Sequence, residues 1–241
     1  MPAFESGRFL SAGDRVLLAE LPAGHHLTGA LRVRGGEPLV LFHQGELYDT
    51  IVEELPGGGL AAVVRSARPS PLAATPMVLV QAVIRPALLD DVIRLVTPLG
   101  VCGIVLFAGE RSQPWNVAGR MGRLRDVAQA AAEQSETGIV PVISLENSLA
   151  AALGRSDLPG QLVAMSPRGD RSLSSLHRSA GLGSPEGVGL VVGPEGGFSE
   201  GEEKTLDTRG VYRAHLNTGV LRSELAGFAG FLIVREMQGL S

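Results

Sequence analysis

Val188-Gly189-Leu190-Val191-Val192-Gly193-Pro194-Glu195-Gly196-Gly197-Phe198-Ser199 is the stretch that decides the fold. The apolar run 188–192 is short, Val-rich and bounded by Gly and Pro, as in a buried parallel strand. Gly193, Gly196 and Gly197 permit backbone angles that a side chain forbids and let a ligand approach the main chain closely. Ser199 followed by Glu202 has capping-box spacing and predicts a helix start. A strand, a glycine-rich turn and a helix in succession put free backbone N–H and C=O groups at the carboxyl edge of a sheet, where open α/β sheets bind ligands. A glycine-rich turn standing alone is usually just a plain connection between strand and helix.

The stretch disfavours a polyphosphate as its ligand. The stretch has neither the Lys-Ser/Thr of a P-loop nor the G-x-G-x-x-G of a dinucleotide fold. Glu195 stands in the turn, with Glu200, Glu202 and Glu203 just after it. Carboxylates there favour a ligand with a cationic or hydrogen-bond-donating part, such as an adenine or amino-acid portion. About twenty residues on comes a second informative segment, Leu216-Asn217-Thr218-Gly219-Val220-Leu221-Arg222-Ser223-Glu224-Leu225-Ala226.

Working outward, residues 77–84, 101–108, 139–144 and 161–165 read as further strands. Residues 87–96, 116–134, 148–153, 199–209 and 220–238 read as helices. Strands alternating with helical stretches mean βαβ units and a mainly parallel sheet. Residues 167–187, rich in Ser, Gly, Arg and Pro, read as a flexible surface loop. Residues 66–76 hold three prolines and read as a stiff linker, which sets domains of 1–72 and 73–241. Before that linker, short apolar segments at 15–18, 30–33, 39–42, 48–52 and 60–64 alternate with glycine turns and predict a small β-barrel. Arg32 and Arg34 share one face if they lie on a strand. They are either phosphate contacts or solvated side chains.

Composition bounds the function. The chain has 241 residues, 44% of them hydrophobic, and a net charge of −4, enough for one large or two modest domains. No apolar run reaches membrane-spanning length, and the first residues have neither a basic nor an apolar signal region. The lone cysteine, Cys102, excludes a disulfide framework and a Cys-based zinc site and fits a reducing cytoplasm. His25 and His26 have no acidic or sulfur partner at ligand spacing, so they read as packing residues and no metal is expected. Basic residues are almost all Arg, with Lys204 the single Lys.

The paired motifs resemble the carboxyl-terminal half of the ribosomal RNA small subunit methyltransferase E family, which are SPOUT-class methyltransferases. Other segments are similar too: Arg8-Phe9, His25-His26-Leu27 and 31–36 near the start, Glu110-Arg111-Ser112, and Ala131-Ala132-Glu133-Gln134-Ser135. The resemblance implies an α/β SPOUT domain with a deep trefoil knot, preceded by a PUA-like RNA-binding barrel, acting as a homodimer. It implies S-adenosyl-L-methionine held by Val192, Gly193, Pro194, Glu195, Gly196, Gly197, Leu216, Asn217, Val220, Leu221 and Arg222. The reaction implied is methylation of N3 of a uridine in small-subunit ribosomal RNA, free or in the 30S particle. Arg222 is then the candidate to stabilise charge on the uracil carbonyls. Glu224 either accepts a proton or caps the last helix. Arg8 is a candidate catalytic and RNA contact, with Arg32, Arg34 and Arg111 as further RNA contacts.

The chain departs from the family pattern in several places. A Lys-Gly-Asp-like turn becomes Arg85-Pro86-Ala87, Glu-Leu-Gly becomes Pro98-Leu99-Gly100, and an Arg becomes Thr137. In the last motif Gly219 and Leu225 replace an Arg and a Thr. These changes keep two alternatives open: a different RNA target such as a ribose 2′-hydroxyl, and a non-catalytic RNA-binding protein that retains the fold.

Overall fold

The computed structural model describes residues 3–24, 29, 32–182 and 186–239. His25 and His26 lie outside the described residues. The chain forms two compact units, Met1–Ala73 with Gln129–Val140, and Ala74–Ala128 with Pro141–Ser241.

The first unit is a five-stranded sheet. Its strands are β1 (Ala3–Glu5), β2 (Arg15–Leu17), β3 (Pro38–His43), β4 (Glu46–Glu54) and β5 (Leu60–Pro69), in the order β1-β3-β4-β5-β2. Period-2 alternation sends Leu39 and Leu41 to one apolar cluster, with Phe4, Tyr48, Val52 and Val64. Val40 and Phe42 go to the other face, with Ala3, Leu47 and Ala132. The sheet is therefore covered on both faces. Ala132 comes from a distant part of the sequence, and its segment is fastened there by backbone. Ser70 Oγ donates to Thr137 O at 2.6 Å, and Gly45 N donates to Gly138 O at 2.9 Å.

Two expectations need correction here. A strand over 30–33 is not formed at Arg32 or Val33, because Arg32 has a left-handed backbone (φ 51) that no strand accommodates. Residues 30 and 31 lie outside the described residues. Nor is 66–76 a linker throughout: β5 continues to Pro69, paired with Glu46 of β4, and Ser70 is buried. Pro69 ends the strand at its last ladder position, where a proline costs least.

The second unit is a seven-stranded parallel sheet. Its strands are β6 (Met77–Ala82), β7 (Gly103–Phe107), β8 (Val142–Glu146), β9 (Leu162–Met165), β10 (Arg171–Ser172), β11 (Val188–Val192) and β12 (Tyr212–His215), in the order β10-β12-β9-β11-β6-β7-β8. Its helices are α1 (Pro86–Val96), α2 (Met121–Ser135), α3 (Leu149–Leu153), α4 (Leu173–Ala180), α5 (Glu200–Thr208) and α6 (Ser223–Met237). Residues of α2 from Gln129 onward count with the first unit. β6 and β11 are buried at every position, which explains their unbroken apolar runs. Val78, Val80 and Val191 face α3 and α5, in a cluster with Leu149, Leu153 and Leu206. Leu79 and Leu190 point the other way, toward α6.

α6 lies close on the sheet because it presents glycine there. A Cβ on Gly227 would sit 3.0 Å from Leu79, and one on Gly230 would sit 2.6 Å from Leu190. These glycines are three apart and share a helix face. Gly230→Val overpacks this seam, with an expected cost of about 3 kcal/mol and a Tm lower by about 10 °C. A melt monitored by circular dichroism checks it, and an unchanged Tm would mean that α6 does not seat this way.

The stretch 167–187 is not a loop throughout. It contains β10 and α4, and α4 buries Leu173 and Leu176. Ser172 caps the helix by accepting from Ser175 N, and Gly181 ends it in the left-handed region. These stop and start signals lie among the same Ser and Gly that read as a flexible loop.

Candidate functional site

The site lies at the carboxyl end of β11. Gly197 N donates to Pro194 O at 2.9 Å, closing a turn, and Gly197 has φ +70. The Phe198 ring packs on Gly193, where a Cβ would be 3.2 Å from it. The turn then enters α5 through a complete capping box. Glu202 N donates to Ser199 Oγ at 3.1 Å, and Ser199 N donates to Glu202 Oε2 at 2.8 Å. The other oxygen of Glu202 accepts from Glu110 N at 3.1 Å, and Arg111 Nη1 donates to Gly196 O at 3.1 Å. The loop after β7 is thereby stitched to the turn after β11.

The second bend, 216–222, leaves β12 and enters α6. Ser223 joins the two bends. Its buried hydroxyl donates to Gly193 O at 2.6 Å and accepts from Gln81 Nε2 at 3.0 Å. Gln81 is wholly buried on β6, the strand beside β11, so one side chain from the sheet interior holds the junction.

Together the bends line a cavity of 1070 Å³. Val192, Gly193, Pro194, Glu195, Gly196, Gly197, Leu216, Val220, Leu221 and Arg222 all border it, as do Glu224 and Arg111. Asn217 is exposed and does not border it. Arg8, Arg32 and Arg34 are exposed residues of the first unit. Residues not expected at the site from sequence also border the cavity: Arg85 and Leu88 after β6, Met165 to Arg168 at and beyond the end of β9, and Ala214 and His215 at the end of β12. The signal that finds them is topological, since each lies at or just beyond the carboxyl end of a parallel strand.

The charges at the cavity are unequal in their surroundings. Glu203 is bound by Arg213 at 2.7 Å, and Arg213 also holds Asp207. Its hydrogen bond keeps the Asp207 carboxyl below the usual range. Glu224 is buried in the first turn of α6, and the helix N-cap is Arg222, which makes no side-chain cap bond. Glu224 therefore does not cap the helix. Its carboxylate lies 3.9 Å from the guanidinium of Arg222, which is 83% exposed. Among the described residues no other ion pair or side-chain hydrogen bond holds Glu224. A buried carboxylate facing a cavity with one distant cation is available to a bound molecule. Leu88, Met165, Val192 and Leu221 add apolar wall, while the two bends present main-chain groups. Such a pocket takes a flat heterocycle with hydrogen-bonding edges and tolerates a cationic centre. Among the described residues there is no group of three metal-ligating side chains and no helix long and apolar enough to cross a membrane.

Residues 71–234 match the family model for the RNA methyltransferase domain. A ribosomal RNA small subunit methyltransferase E from Mycobacterium bovis is 29% identical over 213 residues, covering 84% of this chain and 79% of that one. One from Rickettsia conorii is 24% identical over 229 residues, covering 94% and 91%. The crystal structure of a ribosomal RNA small subunit methyltransferase E from Neisseria gonorrhoeae, bound to S-adenosyl methionine, superposes with a TM-score of 0.81 at 25% identity, covering 98% of each chain. The motif resemblance and these relatives agree, and the matched region contains the whole cavity: the chain belongs to the RNA methyltransferase domain family.

Proposed function

We propose that the protein is an S-adenosylmethionine-dependent methyltransferase that modifies N3 of a uridine in small-subunit ribosomal RNA. The observation that carries this reading is the Ser223 bridge, which brings two backbone-rich bends to one cavity. The cavity suits the cofactor. Main-chain groups of the bends meet the adenine and ribose, and Glu195 and Glu224 tolerate a sulfonium where a phosphate-binding loop would not. Bound S-adenosylmethionine supplies an already activated methyl group, so the protein's work is positioning and proton removal.

Uridine N3 carries a proton that must leave as the N–C bond forms, and a Watson–Crick pair hides that atom. The target base is therefore unpaired or turned out of its stack. Glu224 accepts the N3 proton. Arg222, exposed and poised beside it, swings onto a uracil carbonyl and offsets the negative charge that develops there. Gln81 and Ser223 keep the two bends in register.

Three further features belong to this reading. The bends at 188–226 form a trefoil knot, and the five-stranded sheet is a PUA-like RNA-binding module; both are what the family resemblance implies. Two chains pair through α6, where Leu225 and Leu232 are 40% and 41% exposed, seven residues apart on one face, with Val220 81% exposed just before them. The partner is cytoplasmic small-subunit rRNA or the 30S particle. Mass spectrometry of small-subunit rRNA from strains with and without the gene tests the whole. The expected result is loss of one N3-methyluridine. An unchanged rRNA, or loss of a ribose methyl instead, overturns it.

A further inference from the structure

Among the described residues some arginines of this chain meet a carboxylate and others do not. In the second unit Arg94, Arg155 and Arg213 each do, with N–O distances under 3 Å. Arg85, Arg111 and Arg168 border the cavity, are exposed, and among the described residues pair with no carboxylate. Among the described residues Arg111 is steadied only by Gly196 O, to which it donates. Four arginines in all border the cavity against three carboxylates, one of which, Glu203, is already matched by Arg213. The mouth is locally basic on an acidic protein.

The sheet order turns these residues into a row. Arg168 follows β9, Arg85 follows β6 and Arg111 follows β7, and the intervening strand β11 carries the glycine turn. Strands lie about 4.8 Å apart, so the three loops leave the sheet over about 14 Å. One carboxylate of a small ligand meets one arginine fork. Cations spread over that width match a chain that repeats its negative charge, and a nucleic acid strand repeats it every few ångströms. Arg85 and Arg168 were not among the sequence-expected RNA contacts.

We propose that Arg85, Arg111 and Arg168 form a phosphate-gripping row that holds the substrate RNA backbone across the cavity mouth, with the target base dropping in beside the glycine turn. The row rests on the methyltransferase reading above. It explains how an acidic protein holds RNA: by a short line of unneutralised arginines at the site of chemistry. Arg85 is the N-cap of α1 and makes no side-chain cap bond, so removing its side chain costs the helix no hydrogen bond.

The test measures binding of a fluorescently labelled transcript of the small-subunit rRNA across a potassium chloride series, for wild type, R85A, R168A, the double variant and R85K. Cofactor affinity is measured in parallel by calorimetry with S-adenosylmethionine. Each alanine variant should lower RNA affinity roughly 5- to 10-fold and reduce the slope of log affinity against log salt by about 1, with the double variant losing about 2. R85K should keep the wild-type slope, and cofactor affinity should stay within twofold. Unchanged slopes in R85A and R168A overturn the row. So does a tenfold loss of cofactor affinity in either variant, because the arginine then holds the cofactor's carboxylate. The calorimetry on wild type judges the methyltransferase reading, and the salt slopes judge the row alone.

Discussion

Gly196→Val leaves the protein folded and weakens S-adenosylmethionine binding on the order of 100-fold. Gly196 is exposed and has no left-handed backbone, so valine is tolerated by the chain itself. The space beside it is not free. A Cβ there would already lie 3.3 Å from Cβ of Arg111, and the two methyl groups of valine reach further, into the cavity or against that arginine. Methyl groups that occupy the ligand's space and cost about 3 kcal/mol of binding free energy lower affinity by roughly two decades. Calorimetry measures the affinity, and a circular dichroism melt verifies the fold. Wild-type affinity in a folded variant would remove the glycine turn from the binding site.

Arg222→Ala lowers kcat for rRNA methylation by about 100-fold, the size of effect seen when one preorganised donor to a developing anion is lost. The same change should leave stability untouched, since the side chain is 83% exposed and its carboxylate partner is 3.9 Å away. Cofactor affinity should change less than threefold, because the contribution of residue 222 to the bend is made by backbone. Steady-state kinetics with a saturating transcript separate the two. A kcat within threefold of wild type would assign the charge-stabilising role elsewhere.

Much of the second unit was legible because its physics is local. Buried parallel strands need unbroken apolar runs, and 77–82 and 188–192 have them. Ser199 and Glu202 announce a helix start through a pattern three residues long, and the capping box forms. The misreadings arose where a signal was short or its partner distant. β12 is four residues with mixed burial, too brief for a period to emerge. α4 hides its Leu173 and Leu176 among serines that cap as readily as they loosen. The site was legible as two motifs, but not as a place. Arg85 stands in a turn that departs from the family pattern and Arg168 in no motif; only the sheet order brings their loops to the same edge. Glu224 looked equally suited to capping, and only its geometry beside Arg222 excludes that. Residues 131–135 have a role invisible in sequence: Ala132 completes an apolar cluster with Phe42 and Leu47.

That last contact bears on how the chain matures during synthesis. The first unit is discontinuous, since Gln129–Val140 belong to it while 74–128 do not. As the nascent chain leaves the ribosome, the five strands are complete by Pro69, yet the face bearing Val40, Phe42 and Leu47 lacks its cover until residue 140 has emerged. At about 5–20 residues per second that interval lasts several seconds. During it the nascent sheet presents bare aromatic and aliphatic surface, the kind chaperones bind, and a fragment ending at Ala73 would present it permanently.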